Sequence, residues 1–444
     1  MLLITYILWA AAVLLFYRSF PRPGAIWIVL VAGLLILPPA RYAAPGDASV
    51  FPYWIIGGAL PSDILVTKAW VAPSAALLAS MVFERERWQG VRLGLADAPI
   101  LLFCTWPTLR LAIEGTTNPS GALSSLYLFG VWGVPWLLGR LHLRSSEDFR
   151  AFASVLAAAT AMTLPFALVE GVSSFRFQSL LGGAHPYAFD GIDRYVGYRP
   201  QLLFENGNQY GIWCAGAALA AVWRGQQARA EGGAIRWWSC IAAALVFQTL
   251  ASQSVGAILL MLAGLPLLAV RRAWRTPVWA VALAVGIAAA VGTLHVSGIV
   301  PLRSLAKETA IGRAALAALR ETGRQSLAWR VSQDLKTIAL VKRNVIAGAP
   351  DWDWFRPAGT RPWGLPFLIL GQFGIVGLGA LVAAYLTALS RLLAATRRGY
   401  DAARLGIVLL LVCSLDALLN SFLFYPAVAM AGASLAQHPS KHPA

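Results

Sequence analysis

Acidic residues are scarce in this 444-residue chain, with 20 Asp and Glu against 36 Lys and Arg, and charged residues of both signs reach only 13%. Soluble domains carry about 25%, so an ordinary water-facing surface is excluded. Histidine is also sparse, at five residues, and the four cysteines (Cys104, Cys214, Cys240 and Cys413) fall inside apolar stretches with no CxxC or Cys/His spacing. That pattern gives no disulfide framework and no metal-ligand set, so the cysteines are read as packing residues and no metal or other cofactor is expected. No repeat appears at solenoid or propeller periods.

Apolar residues are abundant instead: 58% of the chain is hydrophobic, 18 residues are tryptophan, and mean hydropathy is +0.64. A helix needs about 20 apolar residues to cross the hydrocarbon of a bilayer. Segments approaching that length lie at 2–17, 24–40, 63–83, 94–113, 121–140, 150–172, 208–223, 236–252, 256–270, 277–296, 364–391 and 405–432. The expected fold is all-α: one polytopic integral membrane domain over 1–444 with about 12 transmembrane helices. The first segment has no basic n-region and no convincing cleavage site, so it is expected to remain as an anchor.

Short basic connections stay in the cytoplasm, which places 18–24, 84–92, 140–150, 224–230, 271–277 and 391–404 there. The alternating connections then face outward, as do both termini if the count is twelve. Most of the +16 net charge is explained by this rule, and nucleic-acid binding gains no support. The surplus lies in 297–363, which carries 11 Lys/Arg against 5 Asp/Glu. Loops longer than about 60 residues translocate largely regardless of charge, so this one is assigned to the outer face, where its charge suits an anion.

Two outer segments are long enough to build a site, 173–207 and 297–363. Gly, Pro and Tyr in the first argue for ordered loop. The second contains an amphipathic helix over 326–347, with Leu327, Val331, Leu335, Ile338 and Val345 opposite Arg330, Lys336, Lys342 and Arg343, expected to lie on the outer leaflet and to stop at Gly348 and Pro350. Charges inside spans are costly unless paired, hydrated or used. Lys68 and Arg110 in the outer third of their spans either snorkel to the interface or hold an anionic headgroup, and Asp416 with Asn420 can pair with a basic neighbour.

The sharpest local pattern runs Arg199-Pro-Gln-Leu202-Leu-Phe204-Glu205-Asn206-Gly207-Asn208. It resembles the R-x-x-G-x-F-x-N-P-N signature of the O-antigen ligase and polymerase superfamily, bacterial integral-membrane glycosyltransferases; Leu202 and Gly207 stand where the family has Gly and Pro. Arg330 and Gly348 are similarly spaced to a second family pattern, an Arg-led amphipathic helix ending in a glycine turn, and Gly371-Gln-Phe-Gly374-Ile-Val-Gly377-Leu resembles the pattern's last part. The resemblance extends over about 150–390.

The resemblance implies transfer of a glycan from undecaprenyl pyrophosphate to an acceptor glycan or glycolipid, at the lipid bilayer, on the periplasmic face of the inner membrane. Arg199 and Arg330 would hold the diphosphate, helped by Arg356 and Arg361, since arginine makes bidentate, permanently charged contacts to phosphate. Glu205 is the first candidate for the base, with an ion-pair partner of Arg199 or Arg194 as its alternative; Asp190, Asp193, Asp351 and Asp353 also lie in the outer segments. Arg194, Asn206, Asn208, Lys68, Arg110 and Trp363 complete the candidate substrate-binding set, although Asn206 and Asn208 equally suit a helix cap and Trp352, Trp354 and Trp363 an aromatic belt. Trp363-Gly364 stands where the ligases have His-Asn, whose histidine is regarded as contributing to catalysis, and His185 and His295 are poor substitutes. That departure favours a polymerase over a ligase. A secondary transporter is the rival from another class, and a scaffold role the third.

Overall fold

The structure is a computed structural model, and it describes residues 2–20, 23–40, 66–89, 91–115, 120–181, 193–194, 196–269, 307–321, 326–350, 354–418 and 420–436. It is all-helical apart from one two-residue hairpin, in which β1 (Asp193–Arg194) pairs antiparallel with β2 (Gly197–Tyr198). The helices are α1 (Leu2–Phe16), α2 (Ala25–Ile36), α3 (Lys68–Phe83), α4 (Ala98–Ile113), α5 (Gly121–His142), α6 (Ser146–Ser173), α7 (Gly207–Ala230), α8 (Ile235–Ala251), α9 (Val255–Ala269), α10 (Ala310–Glu321), α11 (Ser326–Arg343), α12 (Leu365–Arg397), α13 (Ala402–Ala417) and α14 (Tyr425–Ala433). Each apolar segment expected from the sequence is mainly helical where it is described, except that the expected span 405–432 is two helices separated by the non-helical residues 420–424; 277–296 lies outside the described residues. Among the described residues, three helices, α5, α6 and α12, are long and apolar enough to cross a membrane. The outer surface of α1 exposes Leu3, Ile4, Ile7, Leu8, Leu15 and Phe16, a face suited to lipid and costly in water, so the chain is membrane-associated.

The core is built around α7, which packs on α6, α8, α9 and α13, while α5 pairs with α14 and α4 with α12. Contacts gather the short basic connections at one end. Arg87, from the connection after α3, donates to Asp148 at the start of α6 (3.3 and 3.0 Å), Arg140 reaches Asp97 at 2.6 Å, and Arg150 pairs with Glu231 at the end of α7. At the opposite end lie the start of α7, the junction of α8 and α9, the end of α2, and α11 with the approach to α12.

Two interruptions of the expected spans matter there. Inside α12, Gly374 has φ +66, ψ −169, a conformation open to glycine but not to other residues. The backbone groups thus released are paired: Ile375 donates to the Val345 carbonyl (2.8 Å), Val376 to Ile346 (3.4 Å), and Ala349 to Gly371 (2.8 Å). An apolar span requires such internal satisfaction. This docking ends α11 at Arg343 rather than near 347, because residues 345–349 bond across to α12 instead of continuing their own helix. The second break lies between α13 and α14, where residues 420–424 are not helical and Pro426 sits in the first turn of α14.

Candidate functional site

The Arg199 pattern folds back on itself. Asn206 caps α7, its side-chain oxygen accepting from the amides of Asn208 (2.9 Å) and Gln209 (3.0 Å), so it acts as a cap residue. Asn208 instead faces Arg199: its Oδ1 accepts from Arg199 Nη2 at 2.6 Å and from Ser254 Oγ at 3.2 Å. Arg199 Nε donates to the Ser252 carbonyl at 2.7 Å, and the residue is fully buried. The turn between them carries Leu202 at φ +54, a left-handed conformation that disfavours side chains other than glycine's; this is the position where the resembling family has Gly. At Gly207 a Cβ would stand 2.1 Å from Arg199 Nε, so Arg199 packs directly over the position where that family has Pro.

A residue that the sequence did not mark holds this turn. Glu170, near the end of α6, accepts from the amides of Gln201 (2.7 Å) and Leu202 (2.6 Å) through Oε2 and is itself buried. Its acidic type at the end of an apolar helix was the available signal.

Lys68 and Glu205 line one small pocket with Phe204, Gln209, Leu423 and Tyr425. Lys68 does not snorkel: it is buried, donates to the carbonyls of Leu203 and Leu34 (3.4 Å to the latter), and its ammonium lies 4.8 Å from the Phe204 ring centroid. Glu205 is placed with Lys68, not in a bond to Arg199; burial raises its carboxyl above the usual range and the Lys68 charge opposes that. Its Oε2 is buried without a hydrogen-bond partner. The pocket therefore joins the Arg199 turn to the segment after the second break.

That segment holds the second set of arginines. Arg330 donates to Asn420 Oδ1 at 2.6 Å and Arg361 to Ser421 Oγ at 3.3 Å, while Asn420 Nδ2 donates to Asp416 at 2.7 Å. Trp363 is shared by both: its ring centroid lies 4.0 Å from the Arg361 guanidinium and 5.4 Å from that of Arg330, within cation–π range. The buried face of α11 is consequently more polar than the sequence pattern suggests. Gln333, Thr337, Ile338 and Val341 are buried in the protein, whereas Val345 is exposed. The helix packs against α12 with Ile338 of the expected stripe buried in the protein; the side chains of Leu327 and Val331 lie outside the described residues.

The remaining candidates separate from these groups. Arg110 forms an i,i+4 ion pair with Glu114 at 2.8 Å. Arg356 is half-buried at the start of the 3-10 turn Arg356–Ala358. Trp354 is no belt residue: it is buried with its ring packed over Gly371. Arg194 occupies β1, and its side chain lies outside the described residues, as do Trp352, Asp190, Asp351, Asp353, His185, His295 and the side chain of Asp193. Cys104 and Cys214 are buried as packing residues, but Cys240 is exposed on α8, so packing does not account for it. Among the described residues no cluster of three His, Cys, Asp or Glu can hold a metal ion.

Comparison with protein-family models, with curated proteins and with solved structures finds no match.

Proposed function

We propose that the chain is an integral membrane glycosyltransferase of about twelve spans, acting on undecaprenyl-pyrophosphate-linked glycan repeat units at the periplasmic face of a bacterial inner membrane. The observation that carries the reading is the closure of the Arg199 pattern: Arg199 bonds the pattern's own Asn208, across a turn whose Leu202 takes the left-handed backbone suited to the family's glycine. The second pattern supports it, since the turn ending at Gly348 pairs with the kink at Gly374 through backbone bonds.

The chemistry follows from the charges. Loss of a lipid diphosphate builds negative charge on the leaving oxygens, and preorganised donors in a poorly hydrated site stabilise it, about 3 kcal/mol for one well-placed donor. Arg330 and Arg361 are the half-buried donors of the site, and Trp363 between them offers an aromatic face for a sugar ring. Arg199 is fully buried, held by Ser252 and Asn208 beneath the turn. Polymerisation is the favoured activity, because position 363 presents an indole stacked by guanidinium groups, where the ligases have a histidine.

Incubation of the reconstituted protein with lipid-linked repeat units alone tests this. A ladder of glycan lengths supports the polymerase. Product only after addition of lipid A-core supports the ligase instead, and no transfer with either acceptor removes the glycosyltransferase reading.

A further inference from the structure

Asp334 lies one helical turn after Arg330 on α11, and its Oδ1 accepts from the backbone amide of Trp363 at 2.9 Å. That bond joins α11 to the approach to α12 and fixes the carboxylate from two elements. The Trp363 ring is covered by both Arg361 and Arg330, which are anchored on Ser421 and Asn420 in the break before α14. Three elements therefore place a carboxylate, two guanidinium groups and an indole around one point.

A base has to be reached by the acceptor hydroxyl, geometry first. Glu205 is only 4% exposed in the Lys68 pocket, and Asp416 is 6% exposed against Asn420. Asp334 is half-buried and thus the accessible member of the three. We infer that Asp334 is the general base for the acceptor sugar, with Oδ1 held by Trp363 and Oδ2 receiving the proton. The assignment rests on the glycosyl-transfer reading.

The step balances. The acceptor hydroxyl oxygen forms a bond to the anomeric carbon, the bond from that carbon to the diphosphate oxygen breaks, and its electron pair leaves with undecaprenyl diphosphate. The hydroxyl proton goes to Asp334 and then to water. Burial pushes the Asp334 carboxyl up to about 6, opposed by the Trp363 amide and by Arg330; the other charged groups of the cluster are Arg361 before α12 and Asp416 near the end of α13. Such a group is ionised at neutral pH yet more basic than an ordinary carboxylate, and below its pKa it is protonated and cannot accept.

The full-length protein in liposomes, supplied with undecaprenyl-pyrophosphate-linked repeat units, provides the test. Wild-type turnover should fall as pH drops through about 6, and Asp334→Asn should lower turnover by about 100-fold or more with the donor KM nearly unchanged. Turnover of Asp334→Asn within about threefold of wild type, or a wild-type profile flat between about pH 5 and 7, overturns the assignment while leaving glycosyl transfer in place. If Asp334→Asn does not insert, Asp334→Glu, which keeps a carboxylate, is compared with the wild type: a shifted acid limb of the pH profile supports the assignment and an unmoved limb overturns it. Absence of transfer by the wild type ends both readings.

Discussion

Arg87 and Arg199 are both held at helix ends by two or more hydrogen bonds, but to opposite electrostatic effect. Arg87 donates through two nitrogens to the carboxylate of Asp148; Arg199 donates to a carbonyl and to the amide oxygen of Asn208. The contrast extends along each end. Arg140, Arg150 and Arg404 meet Asp97, Glu231 and Asp401, whereas Lys68, Arg330 and Arg361 donate to the Leu34 and Leu203 carbonyls, Asn420 and Ser421. A carboxylate offsets the arginine's charge, while a neutral oxygen orients the group without neutralising it; Lys68 and Arg330 meet such oxygens and also stand near the Glu205 and Asp334 carboxylates. One end ties loops together; the other, on the function proposed above, faces an anion.

The largest expected effect comes from removing that charge. Arg199→Ala should cost about 100-fold or more in glycan transfer and also make the purified protein easier to unfold, because the buried Ser252 carbonyl and Asn208 lose their donor; transfer within a few-fold of wild type in the inserted protein removes Arg199 from the chemistry. Asn208→Asp is the sharper variant, because it gives Arg199 a carboxylate partner like that of Arg87 without changing shape. Transfer should drop about tenfold, since a new ion pair now competes with the donor diphosphate, while thermal stability holds or rises. Unchanged kinetics would mean that the neutrality of Asn208 has no function. Gly207→Ala probes position alone: its Cβ would displace Arg199, and a several-fold loss of transfer with little change in expression is expected, a rate equal to wild type showing that Arg199 tolerates the shift. The smallest effect on activity belongs to the other end. Asp148→Asn weakens the Arg87 pair and the capping box at the start of α6, so unfolding should be easier by about 1 kcal/mol with transfer unaltered; a matching loss of activity would break the distinction between the two ends.

Much of this division was legible in residue types. The run of apolar segments marks the helices, and the basic connections mark which ends gather together, since both follow from the energetics of lipid and of positive loops. The glycines also carried a signal: Gly348 and Gly374 stand in the sequence as separate motifs, and each is required by the close backbone pairing of its turn with the other. Less legible was the direction of α11. Its apolar stripe suggested a helix lying on a leaflet, but Arg330, Asp334 and Thr337 share the face turned inward because Asn420, Trp363 and α12 supply partners for polar groups there.

By itself, the sequence determined an all-helical membrane-associated chain and the small set of cationic residues outside the basic connections, because span length, loop charge and the rarity of acidic residues are local properties. Only the tertiary structure decided what each charge meets. Lys68 was drawn into the interior beside Glu205, Arg330 reached Asn420, and Asp334 came to stand beside Trp363. Partners 29 to 135 residues apart in the chain are set by helix packing and helix breaks, and no local spacing encodes them.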